Sequence, residues 1–136
     1  MRSALIANML QKSQMPVVTA STCGEFIRNH SMAVLFFSED PQRYPESNDV
    51  AMVLPEILKQ FSGMAGALVD EGDEHRIQRQ FDFTVWPALA FFKQGYYLGS
   101  ITGIQNWEDY LYRIERLFSE STVAIPVINI EEFHCD

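Results

Sequence analysis

The apolar residues of this chain recur at two different spacings, and the spacing changes several times along the sequence. Spacings of three and four residues follow one face of an α-helix. Four segments show this spacing, at residues 5–10, 50–61, 77–81 and 107–118. A fifth, shorter helix is predicted at 26–27, behind the possible cap Ser21-Thr22, and Asn106 is positioned to cap the last helix. Pro55 should kink the helix over 50–61. The last helix should bury the stripe Trp107, Tyr110, Leu111, Ile114, Leu117 and Phe118.

Uninterrupted apolar runs of strand length alternate with these helices. Residues 32–37 and 65–69 are typical of strands that are buried on both faces. Residues 87–92 and 96–102, joined by a turn at Lys93-Gln94-Gly95, predict a hairpin, and Val17-Val18 predict a short strand. Because a helix connects the two buried strands, we expect them to be parallel with a right-handed crossover. The hairpin should add antiparallel strands, so the order of elements predicts an α/β fold with a central mixed β-sheet sandwiched by helices.

Composition indicates one globular domain over residues 1–136 and narrows the class of partner. A chain of 136 residues with 47% hydrophobic residues can bury one core. The net charge of −8 argues against a nucleic-acid partner, which would require Lys and Arg. The apolar stretch at the start is broken by Asn8 and is too short to span a membrane. Two distant cysteines, Cys23 and Cys135, fit a reducing compartment, so we expect a cytoplasmic protein. The oligomeric state stays open.

The hairpin carries a pattern that resembles the second half of the thioredoxin family. The run Pro87-Ala88-Leu89-Ala90-Phe91-Phe92-Lys93-Gln94-Gly95, followed by Gly103, is similar to the strand, turn and glycine of that family. The resemblance covers about residues 30–119, and it leaves 120–136 as an extended C-terminal tail. It implies a thioredoxin-like fold in which Pro87 is a cis proline that faces the active-site position. It also implies that Pro55 matches the proline in the helix that carries the redox cysteines.

The positions that would carry thioredoxin chemistry hold other residues. Counting back from Pro55, the cysteines of the C-x-x-C motif would stand at Ser47 and Val50, and the buried acid of thioredoxins falls at Leu35. Dithiol exchange needs a thiolate and a second thiol within bonding reach. Possible metal ligands bunch at 131–136, but a closed site needs about four ligands in fixed geometry. The sequence therefore predicts a thioredoxin fold without thioredoxin activity, cofactor or metal.

A closer resemblance lies in the loop after the first buried strand and in the start of the hairpin. The runs Ser38-Glu39-Asp40-Pro41-Gln42-Arg43-Tyr44-Pro45-Glu46 and Trp86-Pro87-Ala88-Leu89 are similar to the HyaE/HupG family. Members of that family are thioredoxin-like proteins without the cysteine pair, encoded with uptake NiFe hydrogenases. The resemblance implies a non-catalytic maturation chaperone that binds the twin-arginine signal peptide of the hydrogenase small subunit.

Loops that follow parallel strands should meet at one edge of the sheet, where ligands of such folds usually bind. Residues 39–49 carry a net charge of −3 and residues 70–74 a net charge of −4, nearly the whole charge of the chain. Aromatic residues at the same edge would supply apolar contact for an extended peptide with two arginines. The predicted peptide-binding residues, called the acidic edge below, are Glu39, Asp40, Tyr44, Glu46, Asp49, Asp70, Glu71, Asp73, Trp86 and Pro87.

Other interpretations account for the same residues. Acidic loops are often only solvated, Trp86 could simply pack on the hairpin, and Pro87 would serve the fold in any case. Cys23 stands beside Gly24 at a helix start, where the pKa of a thiol can fall. The rival hypothesis is therefore a divergent single-cysteine thiol oxidoreductase or peroxidase that uses Cys23. A third is a protein that docks on a folded hydrogenase subunit through the same edge, without a signal peptide.

Overall fold

The computed structural model describes residues 2–120 of the chain. The helices of this part are α1 (Ala4–Ser13), α2 (Cys23–Arg28), α3 (Glu46–Gln60), α4 (Glu74–Gln78) and α5 (Trp107–Ser119). The strands are β1 (Val17–Val18), β2 (Met32–Phe37), β3 (Met64–Val69), β4 (Ala88–Lys93) and β5 (Tyr96–Thr102). A single 3-10 turn, Glu71–Asp73, leads into α4. The order of elements is the one that the apolar spacing predicts.

The five strands form one mixed sheet in the order β1-β3-β2-β4-β5. β2 and β3 are parallel, with Met32 opposite Met64, and β1 adds to β3 in the same direction. β4 runs antiparallel to β2, with Phe37 opposite Ala88, and β5 returns antiparallel to β4. The predicted parallel pair and antiparallel hairpin are therefore confirmed. This topology brings the ends of β2 and β3 to the same edge as the start of β4.

Side chains of β2 show how the sheet acquires a core on each face. Successive strand residues point to opposite faces, so a run that is apolar throughout serves both. Ala33, Leu35 and Phe37 pack in a cluster with residues of α2 and α4. Val34 and Phe36 pack on the other face with residues of α1, α3 and α5. All five are fully buried, and the prediction of a sheet sandwiched by helices is confirmed.

One predicted helix cap is present in the structure, and one predicted helix begins earlier than its first apolar residue. The Asn106 side chain accepts a hydrogen bond from the Asp109 N–H at 3.0 Å and so caps α5, as predicted. α3 begins at Glu46, one turn before the predicted start, and continues through Pro55. Glu46 and Asp49 therefore lie in the first turn of α3 rather than in a loop. The helix macrodipole favours negative charge at that position.

Two aromatic residues do not lie where the helical spacing predicts them. Trp107 is the first residue of α5 and is 37% exposed, so the buried stripe of that helix begins at Tyr110. Phe81 lies beyond the end of α4 and packs against the rings of Phe83 and Tyr97 instead. The apolar spacing thus continues past the end of α4 to a ring that packs on the sheet by itself, whereas in α5 it begins before the part of the helix that faces the sheet.

The predicted C-terminal tail and the possible metal ligands at 131–136 lie outside the described residues. Within residues 2–120, no helix is long and apolar enough to cross a membrane.

Candidate peptide-binding edge

Three segments of the chain lie side by side at the edge where β2 ends. Phe37, the last residue of β2, is opposite Ala88, the first residue of β4. The peptide bond between Trp86 and Pro87 is cis, as the resemblance implied. The Pro87 carbonyl accepts a hydrogen bond from the Gly103 N–H at 2.7 Å, which ties the start of β4 to the loop after β5. The loop after β2, the turn after β3 and the Trp86-Pro87 peptide therefore meet, as predicted.

A row of three rings occupies the middle of this edge. The Tyr44 and Trp86 ring centroids are 6.4 Å apart, and the Trp86 and His75 centroids are 4.7 Å apart. At one end of the row, the Arg43 guanidinium carbon lies 5.8 Å from the Tyr44 ring centroid. At the other end, His75 Nε2 lies 2.5 Å from the Glu39 carboxylate. We call Tyr44, Trp86 and His75 the ring row. His75 is absent from the predicted site, although its place directly after the acidic run 70–74 could have suggested it.

Beneath the ring row lies Glu74, a fully buried carboxyl group. Both of its oxygens accept the Glu39 N–H at 2.9 Å, where the chain turns into the left-handed region with φ of 51°. Burial raises the pKa of Glu74 to about 8, and the hydrogen bond from Glu39 opposes this rise. The indole N–H of Trp86 is buried near Glu74 but makes no hydrogen bond of ordinary geometry. Of the groups that act on the pKa of Glu74, Trp86 therefore has the smallest effect, a lowering. At pH 7 Glu74 is therefore mostly neutral, and the expected charge of −4 on residues 70–74 is too large by about one.

Four carboxylates of the acidic edge accept hydrogen bonds from backbone N–H groups. These contacts join Asp40 to Gln42 at 3.0 Å, Glu46 to Ile104 at 2.9 Å, Asp70 to Gly72 at 3.2 Å and Asp73 to Ala20 at 2.8 Å. A carboxylate offers about four lone-pair sites, so each group can accept further hydrogen bonds from a ligand. The four side chains hold loops in place while their negative charges stay at the edge.

The acidic edge spans the width of the sheet. Asp73 contacts the chain after β1, at one side of the sheet, and Glu46 contacts the chain after β5, at the other. The ring row lies between them, over the ends of β2 and β4. Pro87 is buried, so its role at this edge is to position the chain rather than to supply exposed contact area. The structure thus places carboxylates on both sides of the ring row, with Asp73 on the β1 side and Glu46 on the β5 side, and it pairs Glu39 with His75 in the row itself.

The positions that match the C-x-x-C motif are closed off by packing. Ser47 is fully buried, and its hydroxyl donates a hydrogen bond to the Ser38 carbonyl. Val50 and Leu35 are buried in the apolar core. Ser47 therefore joins the start of α3 to the end of β2, and these positions serve the fold.

Cys23, the candidate nucleophile of the rival hypothesis, is the first residue of α2. Its side chain is fully buried and is not a free thiol. A cysteine nucleophile needs an accessible thiolate, so this geometry does not favour the oxidoreductase hypothesis. Within residues 2–120, no three or more His, Cys, Asp or Glu side chains come together in a group that could hold a metal ion.

Comparison with known proteins relates these features to a family. The family model described as hydrogenase-1 expression protein HyaE matches residues 5–110. The hydrogenase expression/formation protein HoxO of Azotobacter vinelandii is 40% identical over 119 residues, which are 85% of this chain and 80% of that protein. The hydrogenase expression/formation protein HupG of Bradyrhizobium diazoefficiens is 38% identical over 104 residues, which are 72% of this chain and 70% of that one.

Solved structures agree with the sequence comparisons. The crystal structure of the hydrogenase expression/formation protein HupG from Rhodopseudomonas palustris has 34% identity and a TM-score of 0.56, and covers 80% of this chain and 99% of that one. A thioredoxin of Plasmodium falciparum has 16% identity and a TM-score of 0.63, and covers 75% of this chain and 98% of that one. The thioredoxin-like fold implied by the hairpin is confirmed. Because the family model matches residues 5–110 and a relative is 40% identical over 85% of this chain, the chain belongs to the HyaE family of hydrogenase expression proteins.

Proposed function

We propose that this protein is a non-catalytic chaperone of NiFe hydrogenase maturation, and that its acidic edge binds the twin-arginine signal peptide of the hydrogenase small subunit. The named relatives are hydrogenase expression/formation proteins, which supports a hydrogenase-related partner. A signal peptide is available for capture before export, so the proposal implies a cytoplasmic protein. The observation that carries the proposal is the ring row with carboxylates on both sides of it.

The dimensions of the edge suit an extended peptide. Neighbouring strands lie about 4.8 Å apart, so the five strands span roughly 19 Å. Six residues of extended chain reach about 20 Å. A peptide that crosses the edge can therefore place cationic side chains near both acidic groups while an apolar side chain lies on the ring row.

The two kinds of residue contribute differently to binding. Exposed ion pairs each contribute about 0.2–1 kcal/mol, and salt screens them. The carboxylates therefore act mainly by steering the peptide and fixing its orientation. Trp and Tyr side chains dominate binding energy when they become desolvated in an interface. Trp86 and Tyr44, both half-buried in the free protein, are the residues from which we expect most of the affinity.

Neutral isosteres separate the charges of the acidic edge from its hydrogen bonds. Glu46→Gln and Asp70→Asn remove a negative charge and keep an oxygen that can accept the N–H of Ile104 or Gly72. Titration calorimetry at low salt, with a synthetic twin-arginine leader, should show about 1.5- to 5-fold weaker binding for each variant, because each loses one exposed ion pair.

Glu56→Gln is the matched control for these variants. Glu56 lies in the last part of α3, away from the edge, where its side chain is 59% exposed and pairs with Lys59 at 3.3 Å. We expect its affinity for the leader to equal that of the wild type. Equal affinity for Glu46→Gln, Asp70→Asn and the wild type would contradict binding at the acidic edge. Binding of a folded small subunit that lacks the leader, without binding of the leader itself, would favour the subunit-docking hypothesis.

A further inference from the structure

Two of the chain's own arginines already lie against the acidic edge. Arg43 is exposed, and its guanidinium stands over the Tyr44 ring at one end of the ring row. Arg2 is exposed as well, and it borders a hollow of about 170 Å³ between the ends of β2 and β3. Ten basic residues are present in the whole chain. Arg43 and Arg2 therefore carry positive charge at the edge where we expect a cationic peptide to bind.

Arg43 lies where a guanidinium is stabilised by stacking on the Tyr44 ring. A guanidinium within about 6 Å of an aromatic centroid is attracted to the ring face. The turn after β2 brings Arg43 and Tyr44 to this position, because the Asp40 carbonyl accepts both of their N–H groups, at 3.0 and 2.9 Å. The Trp86 ring follows in the row, with its centroid 6.4 Å from that of Tyr44. Once Arg43 moves aside, an arginine of the ligand can therefore contact two aromatic rings at this place.

The hollow beside Arg2 is small and acidic. Its lining includes the carboxylate-bearing residues Glu39, Asp70 and Glu71, with Leu68 and Val69 among its other walls. Its volume equals that of about six water molecules, enough for a planar guanidinium group. Carboxylates beside a flat group of this kind are suited to paired hydrogen bonds from arginine, which lysine cannot make.

We propose that the arginines of the leader take two places at the acidic edge, the face of the Tyr44 ring, which Arg43 occupies in the free protein, and the hollow that Arg2 borders. This inference rests on the proposed function and adds to it the position of each leader arginine and a competition by the protein's own side chains. Both resident arginines are exposed and long, so moving them aside costs little structure. Their presence lowers the affinity for the leader, because the contact of Arg43 with the Tyr44 ring must be broken and the positive charge of Arg2 beside the hollow repels a second guanidinium.

Three variants of identical chemistry test the competition. Arg43→Gln and Arg2→Gln each remove a resident cation from the edge, and Arg28→Gln removes an exposed arginine at the end of α2, at the opposite edge of the sheet. All three change the net charge equally, so Arg28→Gln reports the general effect of charge on a cationic peptide. Calorimetry with the twin-arginine leader should show tighter binding by about two- to fivefold for Arg43→Gln and for Arg2→Gln, relative to Arg28→Gln.

Leaders in which one of the two arginines is replaced by glutamine show which leader arginine binds beside Arg43 and which binds beside Arg2. The gain from Arg43→Gln should vanish with one of the two single-glutamine leaders, and the gain from Arg2→Gln with the other. Weaker or unchanged binding by Arg43→Gln and Arg2→Gln, relative to Arg28→Gln, would overturn the competition while leaving leader binding in place. A wild-type protein that does not bind the leader would refute the proposed function, and this inference with it.

Discussion

Replacing Glu74 by glutamine should remove a pH dependence of stability that the wild-type protein carries. Glu74 is fully buried beneath the ring row, and burial raises its pKa from 4.5 to about 8. Between these two values the folded state keeps the proton, whereas the unfolded state releases it. The stabilisation is therefore complete below pH 4.5, and it is lost as pH rises toward 8.

The size of the effect follows from the two pKa values. Each pH unit in this window lowers the free energy of unfolding by about 1.4 kcal/mol for one group. Between pH 5 and pH 7 the wild type should lose about 3 kcal/mol relative to Glu74→Gln, which has no carboxyl group to titrate. Other titrating groups are shared by the two proteins, so their contributions cancel in the difference.

Urea unfolding followed by circular dichroism at pH 5, 6 and 7 measures this difference. The exposed residue Glu56, changed to glutamine in the same way, is the matched control for the loss of one carboxyl group. A constant difference between the wild type and Glu74→Gln over this range would mean that burial does not raise the pKa of Glu74. That result would refute the argument that burial controls its charge.

Three further substitutions test the parts of the structure separately. Trp86→Ala removes the centre of the ring row and should weaken leader binding at least tenfold by calorimetry, since buried aromatic anchors are worth about 2 kcal/mol or more; an unchanged affinity would remove the ring row from the site. Gly99→Ala should destabilise the fold by about 1–3 kcal/mol in urea, because φ is +152° and the added Cβ would lie 2.9 Å from Leu117 Cδ2; wild-type stability would contradict this contact. Asp73→Ala should cost about 1–3 kcal/mol by leaving the Ala20 N–H unpaired, whereas Asp73→Asn should retain most of the stability, and equal losses for the two would show that the hydrogen bond is unimportant.

The fold could be predicted where a local pattern determines a local structure. The run over residues 32–37 is apolar at every position, and the structure buries it between two helical layers. Asn106 caps a helix through its own side chain, within three residues of the N–H that it accepts. The position of Pro87 at the edge followed from its resemblance to the thioredoxin family, and the structure has the cis peptide bond there. Each of these depends on residues close together in the sequence.

The environment of individual charges could not be predicted in this way. Glu74 stands in an acidic run whose other members are exposed or half-buried, yet it is fully buried and accepts the N–H of Glu39, 35 positions earlier. His75 joins the site through long-range contacts of its own, with the Glu39 carboxylate and the Trp86 ring. Such contacts arise only when the strand ends meet. The sequence thus predicts which loops form the edge but not which of their side chains remain charged and exposed.

Binding of a synthetic twin-arginine leader from a hydrogenase small subunit tests the proposed function most directly. The measurement is titration calorimetry with the wild-type protein at low and at moderate salt, beside a leader in which both arginines are replaced by glutamine. We expect the arginine leader to bind, its affinity to fall as salt rises, and the glutamine leader to bind much more weakly. Equal binding of the two leaders, or no binding of either, would contradict recognition of the twin arginines by the acidic edge.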